Sequence, residues 1–462
     1  MAASHSRPST NKVPASRLAA RGKGLAPKCR LVVVKAASRC NLNCSYCYVY
    51  NLGDTSYLAQ PAIMTRPTID ALVMRVAEHC ARHRLAEFAF AFHGGEPLLA
   101  RSSYFRYFVN RVAETVPAQT SIAYFMQTNG VLLNAEWCSL LRELNIKVGI
   151  SLDGPKEVND RVRIDHSARG SYNRIRRGWD LAASTGLEPG LLTVIDVSAS
   201  PRDVFDHLNE LRPRMVDFLF PDATHDRPPL QYSSDEAATP YADWLLEIFH
   251  VWIADERASF RIRLFERIIN GILGIEGKLD ALGPGKNEVL VVESDGGIEP
   301  VDVLKVCGDG MTSTPYNVHR DSLDDALEHP MVQLYYHSND RLCDTCRQCR
   351  IRQVCAGGYL PHRYRAKDGF DNPSVYCRDL MRLITGIQNW LHASMPDDVV
   401  AQLGFMPLSY AEARAAIASA PAPAHSKAGG RRAGNAEAGS QLPISTMARQ
   451  ESGPGSKVRS CE

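Results

Sequence analysis

The chain has 462 residues, 45% of them hydrophobic and 23% charged, a globular composition that excludes a wholly disordered or fibrous protein. At this length a single core usually stops growing, so two domains with tails are expected. Residues 1–30 carry seven Lys/Arg and no acid, and 420–462 carry six Lys/Arg against three acids. The formal charge of +2 therefore leaves the interior, 31–419, at −8, which argues against a nucleic-acid groove across the folded part.

Residues 1–28 are polar and basic without apolar periodicity and read as a disordered tail. They lack the apolar h-region of a secretory signal, and no run reaches the ~20 apolar residues of a membrane span. No membrane partner and a cytoplasmic location are expected. Regular structure begins with the β-branched run 30–35. Further strand-like runs follow at 87–93, 122–127, 147–152, 191–197 and 216–220. Helix-period segments lie between them at 67–84, 103–116, 135–144, 171–185 and 201–212, with Pro67 and Asp203 suited to first turns. Six strand–helix alternations predict parallel βα units over 29–235, closed or nearly closed as a partial (β/α)6 barrel, with the chemistry at the C-terminal strand ends. A helical linker is expected over 236–285. A Cys-rich domain over 286–395 opens with a hairpin (288–293 and 298–303, joined by Ser-Asp-Gly-Gly) and includes a helix over 377–394. A short helical segment, 396–419, precedes a flexible Ala/Pro/Gly/Ser tail, 420–462.

The thirteen Cys are unevenly distributed. Cys40, Cys44 and Cys47 share one window, Cys343, Cys346, Cys349 and Cys355 another, and Cys377 follows. Long stretches have none and the count is odd, so reduced thiols that hold metal fit better than a disulfide scaffold. Directly after the first strand, Cys40-x3-Cys44-x2-Cys47 places three thiolates so that they can grip three irons of a four-iron cluster and leave the fourth unligated by protein. Zinc usually takes its ligands in pairs from separated knuckles and fits this loop poorly. Each later strand end also carries polar signals. They are His93-Gly94-Gly95-Glu96-Pro97, Gln127-Thr128-Asn129-Gly130, and Ser151-Leu152-Asp153-Gly154-Pro155 with Arg163 twelve residues past Ser151. Taken singly these are turns and a helix-start cation; their succession at one barrel mouth is the specific signal.

Cys-x3-Cys-x2-Cys with Tyr46 before its last Cys, followed by the Gly-Gly-Glu-Pro turn, resembles the radical S-adenosylmethionine (SAM) superfamily. The resemblance implies that Cys40, Cys44 and Cys47 ligate a [4Fe-4S] cluster whose open iron chelates SAM. An electron donor such as flavodoxin or ferredoxin would trigger release of a 5′-deoxyadenosyl radical. It also places Gly94, Gly95, Glu96 and Pro97 at the SAM ammonium, Ser151 at the ribose and Arg163 at the carboxylate, where a planar guanidinium fork suits two oxygens. Tyr46, Thr128, Asn129 and Asp153 join them around the cofactor.

The second group, Cys346-x2-Cys349-x5-Cys355 with Cys377, resembles the SPASM-type iron–sulfur extension of peptide-modifying radical SAM enzymes and implies one auxiliary [4Fe-4S] cluster on those four Cys. The inner auxiliary cluster of the fuller pattern needs a Cys four positions after Cys355, where this chain has Tyr359, and is expected to be missing or degenerate. Cys307 and Cys343 are the remaining candidates for a partial inner site, and a four-Cys zinc site is the metal alternative to the outer cluster.

The stretch Gly357-Gly-Tyr-Leu-Pro-His362-Arg363-Tyr-Arg365 and Gly369-Phe-Asp-Asn-Pro-Ser-Val-Tyr-Cys377, with the hairpin and 220–229, resembles the FxsB-type group of cyclophane- or triceptide-forming maturases. This implies a precursor peptide as partner. The radical takes a hydrogen from a side-chain carbon, often Cβ, and the carbon radical attacks an aromatic ring. Loss of one electron and one proton completes the crosslink. Asp222, His225 and Asp226, after the sixth strand, are candidate bases by position. Thioether formation and oxidation of a sulfatase Ser or Cys to formylglycine use the same machinery. A non-catalytic iron–sulfur redox sensor would keep the Cys but has no use for the strand-end motifs.

Overall fold

The computed structural model describes residues 27–230, 235, 237–275, 281–404 and 406–418. The expected tails, 1–28 and 420–462, lie outside the described residues except for 27 and 28. The strands are β1 (Leu31–Ala37), β2 (Glu87–Gly94), β3 (Ser121–Thr128), β4 (Ile146–Ser151), β5 (Gly190–Val194), β6 (Met215–Leu219), β7 (Arg261–Ile262), β8 (Val289–Val292) and β9 (Ile298–Glu299). They form one sheet in the order β7-β6-β5-β4-β3-β2-β1-β8-β9. All neighbours pair in parallel except β8 with β9, the expected hairpin. The helices between these strands are α1 (Arg66–His83), α2 (Ser102–Thr115), α3 (Ala135–Glu143), α4 (Lys156–Val162), α5 (Tyr172–Ser184), α6 (Pro201–Leu211), α7 (Pro240–Ala254) and α8 (Arg263–Ile272). The result is the expected α/β architecture of parallel βα units, with β9 antiparallel at one edge.

Local chemistry sets the helix ends. The Thr65 hydroxyl accepts from the Thr68 N–H with a proline in the first turn of α1, and Ser200 does the same for Asp203 ahead of Pro201 on α6. Alternation in β2 explains the layering. Phe88, Phe90 and Phe92 are buried, and Phe92 meets Phe105 and Phe108 of α2 edge-on at 5.0 Å between centroids. Ala91 and His93, on the opposite face, line the sheet's concave interior. Removing these rings from water is the main local stabilisation, about 1.5–3 kcal/mol for each Phe.

Two features depart from the linear reading. The stretch 236–285, expected as a helical linker, contains β7, which pairs with β6; two residues are too few to show a period. The hairpin strand β8 pairs with β1, so the Cys-rich part shares the barrel's sheet. Helix Cys377–Ser394 adds a second junction, with Trp390 edge-on to Phe249 of α7 at 5.3 Å. Asp379 accepts from the N–H groups of Tyr241 and Ala242 at 2.9 and 3.0 Å, capping α7. No helix among the described residues is long and apolar enough to cross a membrane.

Candidate active site

A cavity of about 430 Å³ opens at the C-terminal ends of the strands. Its wall includes Cys40, Cys44, Tyr46 and Cys47 from the loop after β1, Gly94 and Gly95 at the end of β2, Thr128 and Asn129 at the end of β3, Ser151 and Asp153 at the end of β4, and Arg163. These expected positions converge on one space. The Cys loop is laid against the segment after α4 by backbone bonds from Asn43 N–H to Ile164 O (2.7 Å) and from Ser45 N–H to Val162 O (2.9 Å), which delivers Arg163 beside it. Arg163 Nη1 donates to the Tyr46 hydroxyl at 2.6 Å, and that hydroxyl donates to Asp153 at 2.5 Å. Arg163 Nε is buried without a hydrogen-bond partner, a donor left over for a ligand. Ser151 accepts from Gln127 at 2.8 Å.

Glu96 stands behind the cavity wall. Its side chain does not line the cavity but is fully buried, accepting from Asn129 N–H (2.8 Å), Thr128 Oγ1 (2.7 Å) and Leu98 N–H (3.0 Å). It ties the turn after β3 to the turn after β2, because a buried carboxylate needs donors and the two turns supply three. Pro97 opens the 3-10 turn Pro97–Leu99 behind it. The backbone of Gly94 and Gly95 therefore remains as the cradle. A Cβ on Gly94, whose φ is +137°, would fall 2.0 Å from Ala37 O, and one on Gly95 would fall 2.0 Å from the Tyr50 hydroxyl.

Every Cys among the described residues is a free thiol. Burial pushes Cys40 up to about 12 and Cys47 up to about 11, so both stay protonated until a cation draws the proton off. Three thiols from one loop on one wall of the cavity fit three irons of a cluster whose fourth iron faces the cavity.

In the second Cys group, Cys346 lies within the short helix Asp344–Gln348 and Cys349 is its C-cap, Cys355 ends the short helix Arg352–Cys355, and Cys377 starts the long helix after them. Cys343 stands at the N-cap of the first short helix, hydrogen-bonded to Cys346, and that bond pulls its thiol below the usual range. Cys307 packs in a different group of buried side chains, with Leu304 and Leu360, its Sγ 4.0 Å from Pro361 O. Tyr359 lines the cavity, edge-on to His362.

Residues not anticipated from the sequence occupy the far wall. Asp302, just past the hairpin, accepts from Tyr48 at 2.7 Å and is ion-paired with buried Lys35, with His93 Nδ1 at 3.7 Å. These positive neighbours and hydrogen bonds hold its carboxyl well below the usual range despite burial. Asp222 also lines the cavity, and burial, with the Asp302 charge, pushes it up to about 7. The other two base candidates are turned away. His225 Nε2 donates to Pro373 O at 2.8 Å, and Asp226 accepts from Ala366 N–H at 2.6 Å, so both fasten the loop between Cys355 and Cys377. Only proximity in the fold gives Tyr48, Lys35 and Asp302 a place in the site; His93 stands in the strand-end motif, and the structure adds its neighbour Asp302.

Residues 34–205 match the profile of the Radical SAM superfamily, so this part of the chain is a radical SAM domain, and its cofactors are a [4Fe-4S] cluster and SAM. The chain is 26% identical over 362 residues to the cysteine-type anaerobic sulfatase-maturating enzyme of Clostridium novyi (strain NT), covering 75% of this chain and 92% of that one. It is 28% identical over 372 residues to the serine-type anaerobic sulfatase-maturating enzyme of Klebsiella aerogenes, covering 76% and 86%. The fold is similar to native anSMEcpe with bound AdoMet, and to the same protein with AdoMet and the Kp18Cys peptide. Each has TM-score 0.67 and 23% identity over 79% of this chain, and 99% and 98% of those chains.

Proposed function

We propose that this protein is a radical SAM enzyme of the anaerobic sulfatase-maturase type, which oxidises the side chain of a Cys or Ser in a peptide or protein to formylglycine. The observation that carries the reading is one cavity in which the Cys40–Cys47 loop and the carboxylates of Asp222 and Asp302 face the same space. The extent of similarity to sulfatase-maturating enzymes, over three quarters of this chain, supports this bond change over crosslinking.

Cys40, Cys44 and Cys47 would hold the catalytic [4Fe-4S] cluster, and Cys346, Cys349, Cys355 and Cys377 an auxiliary one. When bound, SAM and its cluster supply a 5′-deoxyadenosyl radical that takes a hydrogen atom from the substrate Cβ, with flavodoxin or ferredoxin as the electron donor. The Gly94–Gly95 backbone gives SAM close approach, Arg163 Nε offers a donor to its carboxylate, and Ser151 and Asn129 flank it. Removal of the substrate's second hydrogen as proton and electron needs a base, a task that Asp222 fits, and an electron acceptor, which the auxiliary cluster would supply. With a Cys substrate, water then replaces the sulfur, released as hydrogen sulfide, to leave the aldehyde. The proton affinity of Asp222 near neutrality suits transfer, whereas Asp302, held as an anion by Lys35, raises that affinity from the side.

A second reading, an aromatic carbon–carbon crosslink in a precursor peptide, is favoured by Tyr359, His362 and Tyr376 of the cyclophane-maturase-like stretch, which line the same cavity. One experiment separates the two. Reconstituted enzyme, SAM and reductant are incubated with a Cys- or Ser-containing sulfatase peptide, and 5′-deoxyadenosine and hydrazide-reactive aldehyde are measured. Aldehyde in step with 5′-deoxyadenosine is expected. A product two hydrogens lighter without a carbonyl would support the crosslink instead, and no 5′-deoxyadenosine would refute both.

A further inference from the structure

A second cluster of ligand-type side chains lies away from the cavity, at the N-terminal end of the strands. His79 and His83 stand one turn apart on α1, their rings 4.4 Å apart between centroids. Asp324 faces both from the first turn of the helix Leu323–Leu327, which the reciprocal Ser322–Asp325 capping box holds in place. One carboxylate oxygen, Oδ1, receives His79 Nδ1 at 3.1 Å and His83 Nε2 at 2.6 Å. The other, Oδ2, is oriented by Arg82 Nη1 at 3.4 Å.

The far side of His79 is also fixed. Its Nε2 lies 3.2 Å from the carbonyl oxygen of Cys29 and 3.1 Å from the Cys29 amide nitrogen, just ahead of β1. As these bonds stand, Nδ1–H donates to the carboxylate and Nε2 accepts from the Cys29 N–H; moving the proton to Nε2, where it donates to the Cys29 carbonyl, would free the Nδ1 lone pair for an ion between the ring and Asp324. This is how a metal-binding imidazole is commonly steadied through its second nitrogen. The three donor atoms lie within 4.8 Å of one another. A zinc-type ion bonding nitrogen and oxygen at ~2.0–2.2 Å places its ligands ~3.3 Å apart, so a shift of the carboxylate by a few tenths of an ångström admits it.

We propose that His79, His83 and Asp324 form a divalent-metal site for a zinc-type ion, independent of the iron–sulfur sites. Two imidazoles and one carboxylate select a borderline transition ion over calcium or magnesium, which prefer all-oxygen sets. His79 is 1% exposed, while His83 and Asp324 are 11% and 19% exposed, leaving an entry path and a place for water as fourth ligand. The ion would fasten three parts of the chain: the residue before β1, the end of α1, and the 323–327 helix that follows the hairpin.

The test uses the full chain with its clusters reconstituted, dialysed against limiting zinc chloride, with metal content measured together with zinc-edge X-ray absorption. About one zinc per chain is expected, with a nitrogen/oxygen shell and imidazole outer scattering. His83→Gln and Asp324→Asn should each weaken zinc retention by about ten-fold or more, with iron content and 5′-deoxyadenosine formation unchanged. No stoichiometric zinc, a sulfur shell, or equal retention in both variants would overturn the proposal. Should a variant fail to fold, the wild-type spectrum decides alone, because its shell distinguishes this site from the thiols.

Discussion

The hydroxyl of Tyr48, the residue after Cys47, donates to Asp302 at 2.7 Å across 254 positions of sequence. This bond joins the loop that carries the first three Cys to the segment leaving the hairpin, and it stands against the Lys35–Asp302 ion pair. It puts a permanent negative charge beside Asp222. With Asp222 as the base, Asp222→Asn should leave 5′-deoxyadenosine formation within a few-fold while lowering product by about 10²–10⁴-fold. Parallel chromatography of nucleoside and peptide checks this; equal loss of both would remove Asp222 from the proton step.

The same relationship sets a pH dependence. Asp222 is raised to about 7, so below that value it is protonated and cannot accept, and above it the base is free. Product formation should rise with pH through about 7 and then level off. Removing the neighbouring charge by Asp302→Asn stabilises the Asp222 anion and should move the inflection to lower pH. A profile unchanged in that variant would mean that Asp302 does not act on Asp222.

Iron content separates the two thiol sets. Wild-type protein should bind about eight irons per chain, four in each cluster. Cys44→Ala should lose about four of them together with all SAM cleavage, whereas Cys377→Ala should lose a similar share and retain cleavage. Cys343→Ala tests the hydrogen bond with Cys346: iron is expected to stay at the wild-type level because four other thiols remain. A loss of half the iron there would make Cys343 a ligand.

Gly95 gives a steric prediction. The Cβ of Gly95→Ala would lie 2.3 Å from the carbonyl oxygen of Arg39, a backbone atom that cannot swing aside, as well as 2.0 Å from the Tyr50 hydroxyl. The turn must shift to accept it, so SAM cleavage should fall at least ten-fold, by about 1.4 kcal/mol or more in binding and activation together. Gly186→Ala is the control. Its Cβ would meet nothing within 4 Å, although its φ of +77° carries a strain cost of about 1 kcal/mol. It should lower the melting temperature without changing cleavage.

Short-range signals determined much of this protein from the sequence alone. Strand and helix periods placed the six barrel strands and their helices to within a few residues, because alternation and capping act over neighbouring positions. The Cys spacings and strand-end turns marked the cofactor side, because parallel βα units carry their loops to one end. Tertiary structure decided what depends on partners far along the chain. It turned Glu96 inward onto the Thr128–Asn129 turn, faced His225 and Asp226 away from the cavity and left Asp222 within it. It also brought Tyr48 to Asp302 and Asp324 to His79 and His83. None of these pairings has a period or a spacing; each follows from burial, which forces a polar group out of water to find its donor or acceptor wherever the fold provides one.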